Sequence, residues 1–212
     1  MPSIGGCALL YSDPWLLVVE KPAGLLSQPG LGPALADSLI SRLQLEESGL
    51  SLIHRLDRDT SGLLMVARSA EALSAFSTAF AQRLVQKLYV ADVWADPPAA
   101  SGVVDAPLAR LQRSPPLYGF HPQGRPSRTR WRCSLEVNGG RRLWLQPLTG
   151  RSHQLRAHLA GLGCPIQGDP IYAGAVQSCA SERMHLHATA LSLRHPFRVE
   201  RLRCRSVVPF DP

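Results

Sequence analysis

Short runs of apolar residues, many of them alternating with polar ones, recur along the chain and are typical of β-strands. Two of these runs flank Asn138-Gly139-Gly140, a sequence that favours a tight hairpin turn. Strands that are joined by hairpins pair in antiparallel fashion, so most of the predicted sheet is antiparallel. The runs lie at residues 16–20, 63–67, 87–94, 129–137, 141–147, 186–193 and 202–208.

Three other segments carry apolar residues at helical spacing. One spans residues 37–45, one follows a capping Ser69, and one follows a capping Ser152 and ends at Gly163. Helices beside hairpin-linked strands predict an α+β fold, with a mixed, mainly antiparallel central sheet and flanking helices. The apolar faces are Leu39, Ile40 and Leu43 in the first helix, Leu73, Phe76, Phe80 and Leu84 in the second, and Leu155, Leu159 and Leu162 in the third.

Positive charge is concentrated in the second half of the chain. Residues 1–104 carry a net charge of −3 and residues 105–212 carry +10, which gives +7 overall. Of the 23 basic residues, 21 are Arg, and guanidinium groups fit phosphates and stack on bases. This pattern favours a polyanionic partner such as a nucleic acid, and ordinary solvated charge is the alternative.

The remaining composition excludes several classes of protein. The five cysteines form no CxxC pair, which speaks against a disulfide framework and against a zinc ribbon. The chain shows no signal peptide, no apolar run long enough to cross a membrane, no phosphate-binding glycine loop and no metal-ligand spacing. We therefore expect one cytoplasmic domain, residues 1–212, with no cofactor, no metal, no membrane contact and no obligate protein partner.

The densest group of reactive side chains lies at residues 51–64. Asp57 stands there between Arg55 and Arg58, in a turn between two apolar runs. Nearby guanidinium charge keeps a carboxylate ionised, which suits a nucleophile or a base better than an acid. A surface loop with solvated ion pairs is the other interpretation, and composition by itself favours that one.

The same stretch reads His54-Arg55-Leu56-Asp57, then Thr60-Ser61-Gly62, and it resembles the HRLDxxTSG signature of the RluA family of pseudouridine synthases. Other segments are similar to further motifs of that family in the expected order, so the resemblance covers nearly the whole chain. They are Lys21-Pro22-Ala23-Gly24-Leu25-Leu26-Ser27, Lys87-Leu88-Tyr89-Val90-Ala91, Gly124-Arg125-Pro126-Ser127, Gly150-Arg151-Ser152-His153-Gln154-Leu155-Arg156-Ala157-His158 and Gly168-Asp169-Pro170-Ile171-Tyr172.

The resemblance implies an enzyme that detaches uracil from its ribose, turns it and rejoins it through carbon. Asp57 would be the nucleophile, and whether it attacks the base, attacks the ribose or removes a ribose proton stays open. Tyr89 would stack on the target base, and Arg156 would pair with Asp57. Arg151 is a second candidate for that pairing, although its place at a helix start suits a phosphate better. Nothing is oxidised, reduced or phosphorylated, so no cofactor is implied.

The resemblance also implies contacts with RNA. A base in folded RNA must leave its stack before it can react, and Arg55 would fill the gap, unless it only pairs with Asp59. The spacing of Arg128, Arg130 and Arg132 puts them on one face of a predicted strand, as a phosphate track or as a solvated face. The expected RNA-binding residues are Arg55, Arg58, Arg125, Arg128, Arg151 and His153.

The expected substrate is a stem-loop in tRNA or in large-subunit rRNA. Many relatives carry a separate N-terminal RNA-binding domain of the S4 type, and the sequence here resembles the compact form without it. Residues 114–124 have no counterpart in the family pattern, which leaves the target RNA open.

Two other functions remain compatible with the sequence. A non-catalytic RNA-binding module would bind RNA equally well after Asp57→Asn. A nucleoside glycosidase would release free uracil, and such enzymes typically use a second carboxylate, for which Asp59 is the near candidate.

Overall fold

The computed structural model describes residues 2–137, 139–174 and 178–210. The chain divides into two compact units, Met1–Lys87 with Ala188–Val207 and Leu88–His187 with Val208–Pro212. The expectation that residues 1–212 form one domain stays a prediction. Asn138, part of the predicted hairpin turn, lies outside the described residues.

Each predicted strand and helix has a counterpart among the described elements, and six further strands were not predicted. A short 3₁₀ helix lies at Pro33–Leu35, and the helices are α1 (Leu39–Glu46), α2 (Ala70–Ala81) and α3 (Gln154–Gly161). The strands are β1 (Ser3–Ile4), β2 (Cys7–Ser12), β3 (Leu16–Lys21), β4 (Ser51–Leu52), β5 (Ser61–Ala67), β6 (Gln86–Trp94), β7 (Ser101–Asp105), β8 (Leu108–Gln112), β9 (Leu117–Phe120), β10 (Arg128–Val137), β11 (Gly140–Pro147), β12 (Leu186–Arg194) and β13 (Arg201–Arg205).

In the first unit the strand order is β1-β2-β3-β5-β12, with β4 added to β5 and β13 added to β12. The pairs β1–β2, β2–β3, β3–β5, β4–β5 and β12–β13 are antiparallel. Every residue of β5 is buried, because α2 packs on the sheet and inserts Phe76 among Leu16, Leu63 and Met65. This core holds the start of β5, which directly follows the reactive stretch.

The two described α-helices of the first unit begin at serines whose hydroxyl groups accept a hydrogen bond from a backbone amide. Ser38 serves α1 and Ser69 serves α2, and such caps satisfy amides that would otherwise lack a partner. The predicted face of α1 is confirmed as buried, as is Phe76 of α2. The prediction for Leu84 was wrong, because α2 ends at Ala81 and Leu84 is 58% exposed beyond it.

In the second unit the strand order is β6-β11-β10-β7, and each of these pairs is antiparallel. A separate hairpin consists of β8 and β9. Helix α3 packs on one face of the larger sheet, where Leu155 and Leu159 join Trp131, Leu143 and Leu145 in the core. The predicted apolar face of α3 is therefore confirmed at Leu155 and Leu159.

The start of α3 differs from the prediction. The residue before the helix is His153 in the left-handed conformation (φ 53), and it makes no side-chain cap. Gln154 binds the neighbouring chain instead, because its side chain accepts from the Arg151 amide and donates to the Arg128 carbonyl. The prediction that Ser152 caps α3 was wrong, since the left-handed turn at His153 leaves Ser152 one position too early.

Gly62, the last residue of the TSG segment, lies where a side chain has no room. Its φ is 112, and a Cβ at this position would lie 2.6 Å from the backbone nitrogen of Ala188 in β12. Only glycine combines this backbone conformation with such a close approach of two strands.

We predict that Gly62→Ala destabilises the protein far more than Gly49→Ala. Both glycines have positive φ, but a Cβ on Gly49 would meet nothing within 4 Å. Gly49→Ala should therefore lose about 1–2 kcal/mol from backbone strain, and Gly62→Ala at least roughly 3 kcal/mol because the clash adds to it. Urea unfolding measures both changes, and equal losses would show that the close approach to Ala188 has no effect.

Candidate active site

Asp57 lies in the loop between β4 and β5, and its side chain is partly buried. The Thr60 amide donates to the Asp57 carbonyl at 3.2 Å, which closes a turn directly after it. Before it, the buried Leu56 forms two hydrogen bonds with the hydroxyl of Ser27, at 3.1 Å from its amide and at 2.7 Å to its carbonyl. The backbone on both sides of Asp57 is therefore fixed.

Lys21 adds a third restraint on this loop. Its side chain is fully buried, at 0% exposure, and its ammonium donates to the carbonyl oxygens of Pro22, Leu25 and Arg58 at 2.7, 2.7 and 2.8 Å. A buried ammonium needs such partners, because its transfer from water is very unfavourable without them. Lys21 thus links the loop after β3 to the residue that follows Asp57.

His54, which opens the signature, has a structural environment. Its Nε2 accepts a hydrogen bond from the Met65 amide at 3.1 Å, and its ring stacks on Phe80 with 4.7 Å between the centroids. Burial, with a smaller effect from the positive charge of Lys87, lowers the pKa of His54 to about 3. The imidazole is therefore neutral near pH 7 and acts as an acceptor.

The two arginines beside Asp57 are both exposed. Arg58 forms the ion pair with Asp59, with 3.0 Å between Nε and Oδ1. The alternative interpretation of Arg55 as the partner of Asp59 therefore loses its support. Exposed pairs of this kind contribute little to stability, so Arg58 can exchange its carboxylate for a phosphate at small cost.

In the second unit, Tyr89 and Arg156 are held by the core that α3 shares with the sheet. Tyr89 lies on β6 opposite Leu145 of β11 and packs, partly buried, against this core. Arg156 lies on α3 and is 2% exposed. Its Nε and Nη2 donate to the two carboxylate oxygens of Asp169 at 2.7 and 2.8 Å.

Asp169 is the partner that the sequence analysis missed. It is 0% exposed, and its Oδ1 also accepts from the amides of Ile171 and Tyr172. The ring of Tyr172 lies against the Arg156 guanidinium, 5.2 Å from centroid to carbon. One signal was available, since Asp169 is the single acidic residue between Glu136 and Glu182 in a stretch rich in arginine.

The other predicted RNA contacts lie at the second unit's surface or edge. Arg125 and Arg128 are exposed, and Arg128 pairs with Asp105 at 3.3 Å. Arg151 donates to the Pro126 carbonyl at 3.2 Å. His153 shares a hydrogen bond of 3.2 Å with the hydroxyl of Tyr172, so it belongs to the same group as Arg156.

The arginine row on β10 faces away from Tyr89. Thr129 and Trp131 point towards α3, since Thr129 accepts from the Gln154 side chain and Trp131 belongs to the core. Side chains alternate along a strand, so Arg130 and Arg132 lie exposed on the opposite face. The shared face predicted for this row is confirmed, and it is not the face of the sheet that carries Tyr89.

Comparisons with known proteins agree with these motifs. The family model for RNA pseudouridylate synthase matches residues 15–161. The dual-specificity RNA pseudouridine synthase RluA of Vibrio vulnificus is 41% identical over 194 residues, which is 89% of this chain and 78% of its own length. The corresponding protein of Escherichia coli K12 is 38% identical over 190 residues, 89% of this chain and 87% of its own.

A solved structure of human RNA pseudouridylate synthase domain containing 1 matches the fold with a TM-score of 0.82 and 28% identity, covering 100% of this chain and 87% of that one. This chain therefore belongs to the RNA pseudouridylate synthase family, in its RluA-type branch. It is an RNA pseudouridine synthase, an isomerase, and the predicted α+β fold is confirmed. None of the described helices is long and apolar enough to cross a membrane.

We predict that Asp169→Asn destabilises the protein by roughly 3–5 kcal/mol, because it leaves the buried Arg156 charge without its counter-ion. The matched control is Asp105→Asn, which removes the partner of Arg128 from an exposed pair and should change stability by about 0–1 kcal/mol. Denaturant unfolding at neutral pH measures both. Similar values for the two variants would contradict the importance of the Asp169 pair.

We predict a pH dependence of stability that comes from His54. Its pKa is lower in the folded protein, about 3, than its ordinary value of 6.5, so the unfolded chain binds a proton first as the pH falls. Stability from the neutral ring is complete above pH 6.5 and is lost towards pH 3. The difference in unfolding free energy between the wild type and His54→Gln should shrink by about 1.4 kcal/mol per pH unit across this range. A difference that does not vary with pH would show that the ring is not held neutral.

Proposed function

We propose that this enzyme converts specific uridines in structured RNA to pseudouridine, with Asp57 as the nucleophile and with the target nucleotide extruded from its stack. The observation that carries the proposal is a partly buried carboxylate on a loop that Lys21 and Ser27 hold in place. The substrates are stem-loops of tRNA, of large-subunit rRNA or of both, in the cytoplasm. The name of the bacterial relatives, dual-specificity synthases, supports more than one RNA.

The chemistry requires no added reagent. The bond between C1′ and N1 breaks, a bond between C1′ and C5 forms, C5 loses its proton and N1 gains one. An ionised Asp57 can begin this sequence by adding to the base, by adding to the ribose, or by taking a ribose proton. Each of these steps needs a carboxylate that is in position before the substrate arrives. The backbone hydrogen bonds of residues 56–58 support such a role for Asp57.

Tyr89 and Arg156 have separate roles in this proposal. Tyr89 offers a partly buried aromatic face on which an extruded base can stack. Arg156 supplies a fixed positive charge for the Asp57 carboxylate, because Asp169 already holds two of its donor groups and sets its orientation. Arg151, whose Nε faces a backbone carbonyl, is assigned to phosphate rather than to Asp57.

The RNA contacts follow from exposure and charge. Arg55 is exposed beside Asp57 and fills the space that the extruded base leaves. Arg58 and Arg128 bind phosphates after they release Asp59 and Asp105, since exposed ion pairs exchange easily. The remaining contacts are Arg125, Arg151 and His153.

We predict that Asp57→Asn lowers pseudouridine formation at least about 1000-fold, because a neutral amide is a poor nucleophile and a poor base. RNA affinity should stay within about threefold, since Asp57 repels phosphates rather than binding them. The measurement is tritium release from RNA that carries [5-³H]uridine, together with filter binding. The target RNAs come from pseudouridine mapping in cells with and without this gene.

Asp59→Asn is the control for this experiment. Asp59 lies two residues away in the same loop and pairs with Arg58 at the surface, so its loss should leave the rate within a few-fold. Retained turnover in Asp57→Asn would refute the proposed mechanism. Free uracil as the product, with both variants inactive, would point to a glycosidase with two carboxylates.

A further inference from the structure

The hairpin of β8 and β9 is built onto α3. Leu108 of β8 is buried and bridges Arg125 through the backbone, and it pairs with Phe120 of β9. The Phe120 ring lies directly over Gly161 of α3, in the space that a Cβ there would occupy, and 5.8 Å from the His158 ring. The hairpin, which contains much of the segment without a counterpart in the family pattern, thus has a defined position beside α3.

Tyr118 of this hairpin belongs to a row of aromatic rings that begins beside Arg156. Its amide donates to the Tyr172 hydroxyl at 2.9 Å, and its ring lies 5.2 Å from that of His153. The His153 ring lies 5.8 Å from that of Tyr172, which contacts Arg156. Tyr118 and Arg156 therefore belong to one connected group, in which Tyr172 contacts both of them.

Arg110 places a positive charge on this row. It lies opposite Tyr118 in the hairpin, and its Nε and Nη2 donate to the Tyr118 hydroxyl at 3.2 and 3.1 Å. Its guanidinium carbon is 5.6 Å from the centre of the Tyr118 ring, and the side chain is exposed. An arginine beside a partly exposed tyrosine is the combination that binds an unpaired nucleotide, through its base and its phosphate.

The conformation of His153 supports a role for this group. It has φ 53 without being glycine, and it starts α3 without a side-chain cap. Such a conformation is unfavourable for an L-residue and persists where the surroundings require it. Here it brings the imidazole between the rings of Tyr118 and Tyr172.

We propose that Tyr118, together with Arg110 and His153, stacks on an unpaired base next to the uridine that is isomerised, and that this contact selects the RNA loop. The proposal rests on the proposed function, because it assumes that Arg156 marks the place of the reacting uridine. Stacking on Tyr118 requires an unpaired base next to the target uridine, whereas a phosphate contact of Arg110 does not depend on the base sequence.

The test uses the full-length enzyme and a synthetic stem-loop RNA that carries the mapped uridine. Tyr118→Ala should lower kcat/KM about 10- to 100-fold, mainly through KM, because stacking binds the substrate without touching the reacting atoms. Removing one flanking base by an abasic substitution should lower the wild-type kcat/KM by a similar factor. The same abasic RNA should not lower the kcat/KM of Tyr118→Ala any further. Tyr118→Phe should keep most of the wild-type kcat/KM.

Leu111→Ser is the matched control, since Leu111 lies on the same hairpin and is 55% exposed. It should leave kcat/KM and the response to abasic RNA unchanged. Circular-dichroism melting shows whether each variant folds, and Arg110→Ala offers a second variant that keeps every ring. Arg110→Ala should raise KM several-fold and lower the salt dependence of binding by about one counter-ion.

An unchanged KM in a folded Tyr118→Ala would overturn the proposal. So would equal losses on abasic RNA in the wild type and in Tyr118→Ala, because the base would then be read elsewhere. These outcomes are distinct from a failure of the proposed function, in which the wild type forms no pseudouridine in any mapped RNA.

Discussion

The position of Asp57 depends on the buried charge of Lys21, which lies 36 residues earlier in the chain and binds the residue directly after Asp57. The Lys21 ammonium, fully enclosed, meets three backbone carbonyls, and one of them belongs to Arg58 directly after Asp57. A buried ammonium is costly unless all its donors are satisfied, so the two loops cannot separate without exposing it or leaving it unpaired. The hydrogen bonds of Lys21 thus hold the loop that carries the proposed nucleophile against the loop after β3.

In the second unit a buried anion, Asp169, has the role that the buried cation Lys21 has in the first. Asp169 has no access to solvent, and its two oxygens bind the Arg156 guanidinium and two backbone amides. The ion pair sets the orientation of Arg156 before any substrate binds, which is what electrostatic assistance to a reaction requires. In both units a buried charge forms hydrogen bonds with a polar segment and holds it in place.

Local patterns predicted the elements well, and tertiary pairing was where prediction stopped. Alternation located seven of the thirteen described strands, and a cap located the serine start of α2, because these depend on neighbours along the chain. The predicted Ser152 cap was wrong because His153 adopts the left-handed conformation before α3. Sequence usually signals that conformation through glycine or asparagine, and neither stands at this position. The Asp169 pair was missed because its 13-residue separation from Arg156 is set by packing of the second unit, and the motif alone does not say which basic residue a carboxylate meets.

The arginine row on β10 shows what such patterns leave open about RNA. Spacing placed Arg130 and Arg132 on one face, but only the contacts of Thr129 and Trp131 with α3 show which face it is. Tyr89 lies on the α3 side, so a nucleotide stacked on Tyr89 does not touch this row. If these arginines bind phosphates, the phosphates belong to a part of the RNA that continues past the edge of the sheet. The group of Tyr118, His153 and Tyr172 contacts Arg156 of α3, so under the proposed function this group, rather than the arginine row, lies beside the reacting uridine.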